Sequence, residues 1–70
     1  MDYWNIDEKT VALQVNNPEE NALLPRQYKR NQIGFHHFGP FIAIYRISLR
    51  QLKNLQKRTN ALGISLKKCP

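Results

Sequence analysis

Residues 48 to 63, SLRQLKNLQKRTNALG, carry the strongest folding instruction in the chain. Ser48 stands as an N-cap, Gln51 three residues on completes a capping box, and Gly63 supplies a left-handed stop. Between them Leu49, Leu52, Leu55, Thr59 and Leu62 recur at helical spacing. At about 100° per residue these five fall in one arc. Arg50, Lys53 and Lys57 fall on the opposite side, with Asn54 and Ala61 beside them. A helix with one apolar stripe draws most of its stability from whatever covers that stripe. In a chain of 70 residues the cover has to come from the short segments around it, and the core they build is small.

Those segments have strand composition. YWNI (3–6) and VALQV (11–15) flank the polar turn DEKT, and in the second Val11, Leu13 and Val15 alternate with Ala12 and Gln14, which predicts an antiparallel hairpin. Asn17 as N-cap, Pro18 at the first helical position and Glu20 at the capping-box position predict a short helix that Pro25 closes. RQYKRN (26–31) follows as a basic connection without periodicity. QIGFHHF (32–38) and FIAIYRI (41–47) predict a second pair of strands around the turn Gly39-Pro40. The latter is apolar on both faces except at Arg46, which places it inside the sheet. ISLKK (64–68) is a short final strand. The expected fold is therefore α+β, a single domain over residues 1–70. It has a small, mostly antiparallel sheet of four to five strands with one long helix from the C-terminal half packed on one face. The strand order does not follow from the pattern.

Charge is distributed very unevenly. All five acids, Asp2, Asp7, Glu8, Glu19 and Glu20, lie in the first twenty residues, against Lys9 alone. From residue 21 onward the chain has Arg26, Lys29, Arg30, Arg46, Arg50, Lys53, Lys57, Arg58, Lys67 and Lys68 and no acid. Ordinary solvated surfaces mix both signs, so this imbalance points to a partner carrying negative charge. The bland alternative is self-neutralisation, with the acidic segment folded over the basic one.

Several chemistries lack their residues. Cys69 is the only cysteine, so no internal disulfide forms, and a reducing compartment is expected. No apolar run approaches the length of a membrane span, and the start MDYWNIDEKT is unlike a signal peptide, so the expectation is a soluble, cytoplasmic protein without membrane partners. GFHHFGPF from Gly34 misses the lysine and hydroxyl of a P-loop. Ser48, a cap, is a poor nucleophile candidate. His36 and His37, adjacent on a strand, point to opposite faces and lack a third ligand, so no metal and no cofactor is expected. One enzymatic alternative remains, a small metal-independent ribonuclease using His36 or His37 with Tyr45 and Arg46.

On a regular strand Ile33, Phe35 and His37 share one face, and Gly34, His36 and Phe38 the other. One phenylalanine is thus left outward beside a histidine, close in sequence to Lys29 and Arg30. Exposed rings among cations suit single-stranded nucleic acid, whose bases stack while its phosphates are neutralised. The competing explanation puts both rings in the core. The expectation is a non-enzymatic nucleic-acid-binding module preferring RNA or single-stranded DNA, with Lys29, Arg30, Phe35, Phe38, Arg46, Arg50, Lys53, Lys57 and Arg58 as its contacts. The rival is a small regulatory or inhibitory protein, such as a phage-encoded inhibitor or toxin–antitoxin component, docking on an acidic protein surface. Homodimerisation is a further possibility for so small a core.

Overall fold

The alternation of Val11, Leu13 and Val15 is realised in strand β2 (Thr10–Val15), which pairs antiparallel with β1 (Asp2–Asn5) in the computed structural model. The structure describes residues 1–36 and 42–69, without the side chains of residues 35, 36 and 42. Asp7 closes the hairpin: its Oδ1 accepts from the backbone N–H of Lys9 (2.8 Å) and of Thr10 (2.9 Å). This is the local side-chain turn that aspartate favours.

Helix α1 (Pro18–Leu23) starts as its sequence requires, with Asn17 Oδ1 accepting from the Glu20 N–H at 2.8 Å. The capping-box expectation for Glu20 is corrected. Its carboxylate does not return to the N-cap amide. One oxygen accepts from the Asn16 N–H (2.9 Å) and the other holds the Met1 ammonium (2.9 Å), which also donates to the Ser65 carbonyl (3.0 Å). A buried ammonium needs a counter-charge more than the N-cap needs a second bond. The basic connection is a 3-10 turn, Arg26–Lys29, anchored by the buried Tyr28, whose hydroxyl donates to the Gln51 carbonyl at 3.0 Å.

Strand β3 (Gln32–His36) pairs antiparallel with β4 (Ile42–Ser48) through Gln32↔Tyr45, Gly34↔Ile44, Phe35↔Ala43 and His36↔Ile42. The register skips Ile33, which is 54% exposed. The simple alternation expected here is therefore broken by a register shift between Gln32 and Gly34. Helix α2 (Leu49–Leu62) follows β4 without a loop. Ser48 and Gln51 form the full capping box, and Gly63 ends the helix at φ 72°. Leu52, Leu55 and Thr59 are buried, whereas Leu49 (39% exposed) and Leu62 (55%) lie at the rims of the stripe. The expected five-residue packing arc is thus narrowed to three. Strand β5 is shorter than expected, Lys67–Lys68, and runs parallel to β1.

The sheet order is β3-β4-β2-β1-β5, antiparallel except for the last pair. β4 takes the inner position that its apolar faces predict. One face gathers Val11, Leu13 and Val15 opposite Ile47, Tyr45 and Ala43. Against it pack Leu24, Tyr28, Leu52 and Leu55, and Met1 completes the core. The Tyr45 hydroxyl donates to Asn21 Oδ1 (2.7 Å), fastening α1 to the same face. All described helices therefore form one layer. The other face carries the register row Trp4, Ala12 and Arg46.

Candidate functional site

Burying Leu52, Leu55 and Thr59 forces the opposite side of α2 outward, and Arg50, Lys53 and Lys57 are exposed there. Arg58 lies on the flank that faces α1 and the 3-10 turn, its Nη1 donating to the Leu23 carbonyl at 3.5 Å. The Tyr28–Gln51 hydrogen bond ties the 3-10 turn alongside α2. Burial pushes the Tyr28 phenol up, partly offset by the nearby Arg58 charge, so the hydroxyl stays a donor. The same seam brings exposed Arg26 and Arg30 and half-buried Lys29 into the helical layer. Two groups of cations that are twenty residues apart in sequence thus belong to adjoining elements of one layer. Between them runs a cleft lined by Pro25, Gln27, Tyr28, Asn54, Leu55 and Arg58.

Exposed Glu19 sits on α1 in the same layer, and no acid is in ion-pair contact with the cations of this layer among the described residues. Among the described residues the ion pairs are Met1 ammonium with Glu20 and Arg46 with Asp7 at 3.7 Å, and neither involves a cation of the helical layer. Asp2 accepts from Asn16 Nδ2 at 3.1 Å, and Glu8 and Glu19 are exposed. The Lys9 amide, followed by Thr10, holds the Asp7 carboxyl below the usual carboxylate range, with Arg46 adding to the effect. Close ion pairing among the described residues thus involves Arg46 and the Met1 ammonium.

Arg46 is the residue that the structure separates from the rest. Its neighbours Tyr45 and Ile47 are buried against the helices, so Arg46 stands on the other face of the sheet. The same alternation sends Tyr45 and Arg46 to opposite sides, and the Tyr45 hydroxyl is engaged by Asn21. These two do not meet over one substrate as a ribonuclease site would require. Phe35 stands opposite Ala43 in the register, but its side chain, that of His36, and all of His37 and Phe38 lie outside the described residues. Among the described residues no cluster of His, Cys, Asp or Glu is arranged to hold a metal, and no helix is long and apolar enough to cross a membrane.

Sequence reasoning missed Tyr28, Gln27 and Asn54 as parts of a site. A faint signal for Tyr28 was there: a single aromatic inside an otherwise polar, basic connection directly after Pro25. Such a ring has little reason to be there unless it is an anchor. Nothing local marks Gln27 or Asn54.

Comparison with protein-family models, with curated proteins and with solved structures finds no match to this chain. The fold itself defines a class, a small α+β domain with a five-stranded mixed sheet and a single helical layer among the described residues.

Proposed function

We propose that this domain binds single-stranded nucleic acid or RNA non-enzymatically in the cytoplasm, through the cations of its helical layer. The observation that supports the reading is that Arg26, Lys29, Arg30, Arg50, Lys53, Lys57 and Arg58 lie on adjoining elements of the helical layer, with no carboxylate among the described residues in ion-pair contact with any of them. Arg50, Lys53, Lys57 and Arg58 take the phosphate backbone, and Lys29 and Arg30 flank it. Phosphates neutralised this way release condensed counterions, which supplies most of the affinity without any need for an enclosed pocket. The reducing cytoplasm is consistent with a lone, unpaired Cys69. A single strand is favoured over a duplex because the chain has no helix-turn-helix, zinc-finger or basic-zipper pattern.

Fluorescence anisotropy with a labelled single-stranded oligonucleotide over a range of salt concentrations tests the proposal. With about five phosphates engaged, log K against log salt falls with a slope near −3.5. Binding that ignores salt, or no binding at low salt, overturns it. A pull-down from nuclease-treated lysate adds an independent check, since a stoichiometric protein partner that survives nuclease supports docking on an acidic protein surface instead.

A further inference from the structure

The cleft between the 3-10 turn and α2 does not behave like more of the same cationic surface. Buried Leu55 and Tyr28 back it, the Tyr28 hydroxyl being already committed to Gln51, and half-buried Pro25 is the apolar surface that it leaves open. The exposed amides of Gln27 and Asn54 and the guanidinium of Arg58 stand at its mouth. The volume is about 160 Å³. That is well under the roughly 300–1,000 Å³ of pockets that enclose drug-sized ligands, and it leaves room for one small flat group.

The chemistry of the mouth selects among flat groups. Each amide carries both a donor and an acceptor, whereas a phosphate offers acceptors only and leaves the two amide oxygens unmatched. The edge of a nucleobase offers donors and acceptors together, and asparagine and glutamine are the side chains that pair with such edges most readily. Arg58 spends one donor weakly on the Leu23 carbonyl, and its remaining donors are available to the adjoining phosphate. The two elements that border the cleft, α2 and the 3-10 turn, also carry the cations proposed to hold the backbone.

We infer that the cleft seats one unpaired nucleobase, its face against Pro25 and its edge read by Gln27 and Asn54, with Arg58 on the neighbouring phosphate. The inference rests on the proposed function and narrows it, adding base readout to a contact otherwise made to the backbone alone.

The test compares an RNA strand of about ten nucleotides, within the range of single-stranded site sizes, with an abasic strand of the same length and charge. The variant carrying Gln27→Met and Asn54→Leu keeps size and charge while removing both amides. The expected result is base-bearing RNA bound about 10-fold or more tighter than the abasic strand, the order expected when a base edge is paired by side-chain amides. In the double variant this preference shrinks, while the salt slope stays the same. If the abasic strand binds as tightly as RNA, with a steep salt slope for both, the cleft assignment fails and backbone binding stands. A preference for RNA that survives unchanged in the double variant also overturns it, because the base is then read elsewhere. If neither strand binds at low salt, the underlying function fails and the cleft assignment with it. Circular dichroism melting checks that the variant is folded, as expected for two exposed positions.

Discussion

Replacing Arg50, Lys53 and Lys57 together by glutamine removes the outer face of α2 as a charge source while leaving its packing stripe untouched. All three side chains are exposed and unpaired among the described residues, and glutamine is a good helix former, so each change alters stability by less than about 0.5 kcal/mol. At 1.5 Å of rise per residue, Arg50 and Lys57 stand about 10 Å apart along the helix axis, close to the Debye length of about 10 Å at 0.1 M salt. The three cations therefore act on a strand as one field. Each phosphate contact contributes about −0.7 to the salt slope, so losing three shifts it from about −3.5 to about −1.4. At 0.1 M each contact is also worth about 0.7 of a decade in affinity, which makes the combined loss roughly 100-fold, or about 3 kcal/mol. Anisotropy titrations of wild type and variant at four or five salt concentrations give both quantities. Arg46→Gln is the internal control: it removes one positive charge from the other face of the sheet, where Asp7 already pairs with it, and it leaves affinity within about threefold. A triple variant with an unchanged slope, or an Arg46→Gln variant as impaired as the triple one, refutes the placement of the binding surface on the helical layer.

Ser48→Ala removes the side chain that accepts from the Gln51 N–H at 3.1 Å. It costs about 1 kcal/mol and lowers the melting temperature by about 4–8 °C, and an unshifted melt shows that the cap contributes nothing. Gly34→Ala places a Cβ 3.0 Å from Ile44 Cδ1 and 3.2 Å from its Cβ, an overpacking worth about 1–3 kcal/mol. Ile44→Val in the same chain deletes Cδ1 and recovers part of the loss, and a double-mutant cycle with no coupling excludes the clash. Asp7 titrates lower in the folded chain than in the unfolded one. Its contribution to stability is therefore present above about pH 4 and is lost as pH falls through the folded value. Asp7→Asn flattens that part of the acid limb in a denaturation-versus-pH series, and an identical limb in both proteins rules out the contribution.

The features that were legible in advance share a physical scale. The capping box of Ser48 and Gln51, the Gly63 stop, the Asn17 cap and the alternation in β2 all depend on residues within a few positions of one another. The same holds for the outward direction of Arg50, Lys53 and Lys57, which follows from helix geometry once Leu52 and Leu55 turn inward. The narrowing of the apolar stripe was not visible. Leu49 and Leu62 fit the period as well as Leu52 does, and their exposure depends on what the rest of the chain packs beside them. Nor was the register shift between Gln32 and Gly34, because period-2 patterning assumes an unbroken ladder.

Composition and short-range periodicity were enough to place acids at one end of the chain, bases along the rest, and an amphipathic helix over a mostly antiparallel sheet. The strand order β3-β4-β2-β1-β5 set the remainder. It put Arg46 on the face opposite the other bases, turned Glu20 toward the Met1 ammonium, and brought the 3-10 turn beside α2 so that a cleft opened between Gln27 and Asn54. These are contacts between residues 19 or more positions apart, such as Tyr28 with Gln51 and Met1 with Glu20. Such pairings are chosen by the burial and charge balance of the whole chain, and no local window of sequence contains that balance.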